Sequence, residues 1–279
     1  MDSITAPDGL ALPLRRWPCA AAHSHILIVH GLGEHSGRYT ALAHDLNAAG
    51  HAVTSYDQRG HGRTPGARGV IPAPDRLCAD LAAVLDALAA AGTPASVLLG
   101  HSMGGLVAAR FVAEALLPQP QAWSRPVARL VLSSPALAAS LSGWQKLQLA
   151  LMNALAPTLP LPNGLDPTWI SRDPAVVQAY RTDPLVHGRI CARLARFILE
   201  GGEQVRALAP RWPTPTLLLW SGADRCVAPA GSAAFAAAAP PAVVRHQVFP
   251  ELAHEIFNEP ERAQVIATLL HWLDDTPGA

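Results

Sequence analysis

Six short apolar runs recur along the chain: HILIV (25–29), HAVTSY (51–56), SVLLG (96–100), ARLVLSS (128–134), TPTLLLWSG (214–222) and AVVRHQVF (242–249). Several are continuous rather than alternating, the pattern of strands covered on both faces. Between them lie stretches with helical spacing: RYTALAHDLNAAG, DRLCADLAAVLDALAAAG, MGGLVAARFVAEALL, GSAAFAAAA and ERAQVIATLLHWLDD. Strands that alternate with helices predict an α/β fold built on a mostly parallel, doubly wound sheet flanked by helices. No internal repeat is visible.

The alternation stops across residues 135–210, which are rich in Pro, Leu and Trp and show no clear strand. SLSGWQKLQLALMNALA is amphipathic: Leu141, Trp144, Leu147, Leu151, Met152 and Leu155 share one face, with Lys146 and Asn153 opposite. A second helix is expected in HGRICARLARFILEGGEQVRAL. The spacing therefore predicts a core of residues 1–134 and 211–279, interrupted by a helical cap over residues 135–210. The cap would cover the C-terminal strand edges, where open α/β sheets bind ligands. Its apolar stripe, Leu151 and Met152 included, is expected to line the pocket for an acyl chain.

Composition narrows the function classes. Of 279 residues, half are hydrophobic and 15% are charged, enough apolar material for a large core. Lys+Arg and Asp+Glu both number 21, so a basic nucleic-acid-binding surface is not expected. A membrane is expected to be touched transiently at most, since no polybasic patch accompanies the amphipathic helix. The four cysteines, Cys19, Cys78, Cys191 and Cys226, form no CxxC pair, and neither a metal site nor a disulfide framework is expected. The opening MDSITAPDGLALPLRRWP has no apolar stretch behind a basic start, and the expectation is a cytoplasmic protein.

The chemistry concentrates at SVLLGHSMGGLVAARFV, residues 96–112. GHSMG fits the G-x-S-x-G nucleophile elbow, in which a strand turns sharply into a helix and presents a serine hydroxyl at the apex. Ser102 is the nucleophile on this reading. In this architecture the acid and then the histidine follow the serine along the chain. His246 falls mid-strand and His271 within the last helix, whereas His254 falls in the loop PELAHEIFNEP. Asp224, just past TLLLWSG, is the preferred acid, and Asp183 in YRTDPLVHG is its rival. The amides of Met103, after the nucleophile, and of Leu32, in the glycine-bearing loop HGLGEHSGRY, are the expected oxyanion donors. No G-x-G-x-x-G phosphate loop is present to suggest a nucleotide cofactor, and none is expected.

These segments resemble a known group. HGLGEHSGRY, DQRGHGRT, GHSMGG, SSPAL, SRDPAVVQAYRTDPLVHG, WSGADRCV and FPELAHEIFNEP are similar, in order from about residue 8 onward, to the monoacylglycerol lipase and lysophospholipase-like group of α/β-hydrolases. The resemblance implies a serine ester hydrolase with a helical cap, no cofactor and no metal, acting on a small-molecule ester with an acyl chain. It places Ser102, Asp224 and His254 in the triad and Leu32 and Met103 in the oxyanion hole. Glu34, Arg38 and Tyr180 match positions at the alcohol-binding end, and His101 joins them as a substrate-binding candidate. Phe257 departs from the pattern, because some members carry a polar histidine there, and this leaves room for another alcohol. A short-chain or aryl carboxylesterase, an aminopeptidase and a non-catalytic ligand receptor are the alternatives on the same fold.

Overall fold

The computed structural model describes residues 2–139 and 143–275. Two antiparallel strands open the chain, β1 (Ser3–Thr5) and β2 (Ala11–Trp17). Then come β3 (Ser24–Val29), α1 (Thr40–Ala48), β4 (His51–Tyr56), α2 (Arg76–Ala90), β5 (Val97–His101), α3 (Met103–Glu114) and β6 (Leu130–Ser133). After the intervening segment follow β9 (Thr216–Ser221), α7 (Pro229–Ala238), β10 (Val244–Phe249) and α8 (Arg262–Asp275). The eight strands form one sheet in the order β1-β2-β4-β3-β5-β6-β9-β10, parallel from β4 to β10.

All six apolar runs are strands, and their continuity has the expected cause. In β3, Ile26 and Ile28 face a core with Leu42 and Leu46 of α1 and Leu269 and Trp272 of α8. Leu27 and Val29 face a second core with Leu81 of α2 and Leu106 and Phe111 of α3. A strand covered on both faces has no polar side to show. β1 and β2 were not among the expected strands. In ALPLRRW the buried Leu12, Leu14 and Trp17 are separated by a proline and two arginines, so an antiparallel strand lying between β1 and β4 hides in a polar-looking run.

The segment expected to be all-helical departs from that expectation. It contains α4 (Gly143–Leu155), α5 (Pro174–Thr182) and α6 (Ala192–Leu208), but also an antiparallel ribbon of β7 (Pro160–Pro162) and β8 (Arg189–Cys191). Two prolines in a three-residue strand concealed it. Arg189–Cys191, read as the start of a helix, belongs to the ribbon, and Cys191 caps α6 by accepting from the Leu194 amide. α6 places Leu194, Phe197, Val205 and Leu208 in the core beside α3. α4 leaves Trp144, Leu147, Leu151 and Leu155 exposed. Leu141, counted in the same stripe, lies outside the described residues. Among the described residues no helix is long and apolar enough to cross a membrane.

Close packing of α3 on the sheet is decided at Gly104. A Cβ there would lie 2.1 Å from the Val29 carbonyl oxygen and 2.3 Å from that of His30, both backbone atoms. Gly104→Ala is therefore expected to lower stability by about 3 kcal/mol, a melting temperature roughly 6–10 °C lower. Gly143→Ala, where a Cβ meets nothing within 4 Å, serves as the control and should leave the melting temperature nearly unchanged. Equal melting temperatures for the two variants in a thermal scan would refute this packing constraint.

Candidate active site

Ser102 stands at the turn between β5 and α3 with φ 54 and ψ −121, a backbone region that a side chain disfavours. The turn is over-determined by its neighbours. The Ser102 amide donates to the Ser133 carbonyl (3.0 Å), and the Ser102 carbonyl accepts from the Leu106 and Ala136 amides (3.0 Å each). α3 starts at Met103, so its N-terminal dipole end faces the serine.

His254 follows β10 and Asp224 follows β9, adjacent parallel strands that deliver both loops to the same sheet edge. His254 Nδ1 lies 2.6 Å from Asp224 Oδ2. Asp224 Oδ1 accepts from the Cys226 amide (2.8 Å) and the Val227 amide (3.0 Å). With one oxygen held by backbone, the other is aimed at the imidazole and sets Nδ1 as the protonated nitrogen. Nε2 then remains available to act as a base. Both side chains are buried. Burial alone would lower the His254 pKa, but the charge and hydrogen bond of Asp224 outweigh it, and the value lies above the ordinary histidine range. Asp183, the rival acid, instead joins His35 Nε2 at 2.8 Å. His246 lies on exposed β10 and His271 is exposed on α8.

Ser102 borders two cavities. The smaller, about 250 Å³, is lined by Gly31, Leu32, Glu34, His101, Tyr180, His254 and Glu255 among others. The larger, about 680 Å³, is lined by Leu32, Met103, Ala136, Ile190, Ile198, Leu199 and Val227 among others. The smaller carries more of the ionisable side chains, Asp166, Arg181 and His187 among them, whereas the larger sets the aliphatic Ile190, Ile198 and Leu199 beside Gln145, Asp224 and Arg225, and the serine borders both. Leu32 and Met103, the two expected oxyanion donors, line the larger cavity together with the serine. The loop before Leu32 is held by Glu34, whose Oε1 accepts from the Gly31 amide at 2.6 Å and from the Tyr39 hydroxyl at 2.7 Å.

Glu34 belongs to a buried charge network. Arg38 Nη1 donates to Glu34 Oε2 (2.9 Å) and to Glu255 Oε1, and Nη2 donates to Glu255 Oε2 (2.7 Å). The guanidinium lies over the Tyr180 ring, 4.7 Å from its centroid. Burial would raise the Glu34 pKa, yet Arg38 overrides it and holds the carboxyl down at about 2. The His101 ring lies 4.8 Å from the His254 ring, tilted 50° to it, and His101 meets Ser133 Oγ through Nδ1 at 3.0 Å. Burial first, then the neighbouring His254, pushes its pKa down to about 4, so it stays neutral.

The structure thus gathers Glu34, His101 and Tyr180 at one cavity, with Arg38 directly against them. Leu151 and Met152 are a correction. Neither lines either cavity, and Leu151 is 57% exposed. α4 turns Gln145 toward the larger cavity, and the stripe faces outward instead. Phe257 is buried in the core on the α1 and α8 side, away from polar partners. Sequence reasoning missed Glu255, Cys226 and Glu259. Glu255 and Cys226 carry no signal beyond adjacency to the triad candidates. Glu259 accepts from the Ala253 amide (2.8 Å), Ser171 Oγ (2.7 Å) and the Arg172 amide (2.6 Å), so it ties the histidine loop to the intervening segment. Among the described residues, Asp224, Cys226 and His254 form one group with three metal-ligand atoms within 4.8 Å. Two of those atom donors are already committed to each other.

Comparison with known proteins follows the same lines. The serine aminopeptidase S33 family pattern matches residues 20–261. A monoacylglycerol lipase of Mycolicibacterium smegmatis is 34% identical over 254 residues, covering 89% of this chain and 87% of that protein. An uncharacterized abhydrolase domain-containing protein of Dictyostelium discoideum is 31% identical over 279 residues, and the chain spans 29% of its length. The crystal structure of Paleococcus ferrophilus monoacylglycerol lipase superposes with a TM-score of 0.83 at 33% identity, over 95% of this chain and 99% of that one.

The raised His254 pKa has a sign that can be checked. A reaction that needs neutral His254 loses rate as pH falls through that pKa. The acid limb of kcat/KM for a soluble ester is therefore expected above about 6.5, the ordinary histidine value. Asp224→Asn should move the limb to lower pH. A limb below that value in the parent protein, or one unmoved by the substitution, would contradict the pairing.

Proposed function

The chain belongs to the serine aminopeptidase S33 family, and from that premise we propose a serine carboxyl-ester hydrolase that cleaves monoacylglycerol-type esters with Ser102, Asp224 and His254. One observation carries the residue assignment: the buried Asp224–His254 pair at 2.6 Å opens onto the cavity that Ser102 lines. His254 Nε2 removes the Ser102 hydroxyl proton as Oγ attacks the ester carbonyl. The oxyanion gathers the Leu32 and Met103 amides. As the tetrahedral intermediate collapses, the C–O bond to the alcohol breaks and His254 returns the proton to the leaving oxygen. Water, deprotonated by the same histidine, then releases the acid from Ser102. The acyl chain occupies the larger cavity, along Ile190, Ile198 and Leu199, and the alcohol occupies the smaller one beside Glu34 and Tyr180. Residues 135–210 act as the cap over both. Four free cysteines support a cytoplasmic location.

Ser102→Ala is expected to lower kcat on a monoacylglycerol by about 10⁶-fold, and Asp224→Asn by about 10⁴-fold. Asp183→Asn should cost far less. A fluorophosphonate probe should label the parent protein at Ser102 and leave the alanine variant unlabelled. Ser102→Ala activity within tenfold of the parent would sink the nucleophile assignment, and a reversed order of the two aspartates would sink the acid.

The outward stripe supports a transient contact with aggregated substrate. Trp144, Leu147, Leu151 and Leu155 are each 57–74% exposed, and Leu165, further along the same segment, lines both cavities. Leu165 adds a further partly exposed apolar side chain at the site itself, and firm docking would need a second anchor. Replacing Trp144 and Leu151 together with Ser should lower hydrolysis of micellar monooleoylglycerol at least about fivefold, at roughly 1.5–3 kcal/mol per fully buried apolar side chain lost. Hydrolysis of soluble p-nitrophenyl acetate should hold. Equal losses on both substrates would remove the surface role.

A further inference from the structure

We propose that the alcohol end of the site selects substrates by charge and that Glu255 sets its sign. Neutral polyol esters and esters of cationic alcohols are accepted, and esters with a phosphate beside the reacting bond are refused. The proposal rests on the ester-hydrolase reading above and adds the headgroup class to it.

The charges are arranged unevenly. Glu34 and Glu255 both line the smaller cavity. Between them stands a single guanidinium, Arg38, which donates to both carboxylates and is covered by the Tyr180 ring. Tyr180 is part of the lining, whereas Arg38 is not. An entering headgroup therefore meets two carboxylates before it meets the cation. One of the two negative charges has no counter-charge of its own.

The other groups facing this cavity do not reverse that sign. Asp166 and Arg181 line the cavity as well and offset each other. His101 is kept neutral by burial and by His254. His187 is likewise held down, chiefly by burial, at about 4. Asp183 faces His35, and Arg225 lies over Trp169, 4.8 Å from its ring centroid. Asp224, behind His254, adds a further negative charge. Glu255 is fixed in place from three directions, by Arg38, by Asn258 Nδ2 at 2.9 Å and by its own amide donating to the Ile170 carbonyl at 2.7 Å. A fixed carboxylate in a partly dry site cannot turn away from an anion or be neutralised cheaply. An uncompensated charge ~7 Å from a headgroup, at an effective dielectric near ~20, changes a rate tenfold or more.

The test uses short, monomeric butyryl esters, so that micelle contact plays no part. On the full chain, kcat/KM is compared for 1-butyrylglycerol and its 3-phosphate, and for butyrylcholine and its uncharged carbon isostere, 3,3-dimethylbutyl butyrate. The phosphate ester is expected at least about tenfold slower than the glycerol ester, and the choline ester several-fold faster than its isostere. In Glu255→Gln both ratios should shrink toward one. Glu34→Gln removes the same charge from the other side of Arg38 and should reproduce the change, which covers the case in which the first variant does not fold. A phosphate ester as fast as the glycerol ester, or a choline ester slower than its isostere, overturns the proposal. A folded Glu255→Gln protein with both ratios unchanged overturns the assignment to Glu255. Failure of the glyceride reading looks different: p-nitrophenyl butyrate is cleaved and neither glycerol ester is, while the choline pair still returns the sign of the site.

Discussion

The backbone at Ser102 is the constraint on which the rest of the site depends. A non-glycine residue held at φ 54 is strained and persists only where its surroundings leave no alternative. Here they do so by crowding. A Cβ on Gly100 would lie 2.4 Å from the Gly104 carbonyl oxygen, and one on Gly104 would press into the carbonyls of Val29 and His30 at the end of β3. The helix therefore starts within one residue of the strand's end. That abruptness lifts the serine above the sheet and directs the helix N-terminus at it.

Around this point, ionic groups fasten separate loops to one another. Arg38 joins the loop after β3 to the histidine loop through Glu34 and Glu255. Glu259 joins the histidine loop to Ser171 and Arg172 of the segment between β6 and β9. Buried ion pairs are weak stabilisers, since desolvation offsets much of their attraction. Their value here is geometric. They fix the relative positions of loops that the sheet delivers to the same edge but does not itself connect.

The segment between β6 and β9 is not uniform. Its C-terminal helix, α6, is part of the core and packs beside α3. Its first helix, α4, shows a row of large apolar side chains to the outside. An amphipathic helix normally turns that face inward. Exposed apolar surfaces of this kind mark interaction sites, and the contact with aggregated substrate proposed above is the use offered for this one. The inversion also explains why Leu151 and Met152 could not be assigned correctly from periodicity: spacing says which residues share a face, not which way the face points.

The sequence by itself determined the strand-helix alternation, the elbow, and the loops that carry Asp224 and His254. Each is a local property, written in apolar continuity, glycine placement and position after a strand. The choice of Asp224 over Asp183 followed from strand-end geometry, which chain order can convey. Only the tertiary structure decided the rest. Glu255 became a cavity carboxylate because its loop meets Arg38, 217 residues earlier in the chain. The β7–β8 ribbon exists because two short, proline-bearing or polar segments pair across the fold, which neither predicts alone. Which face of α4 meets α6 and which is left outside is likewise a tertiary fact. Long-range contacts of this kind leave no periodic trace, because each depends on two distant segments meeting and not on the order of residues within either.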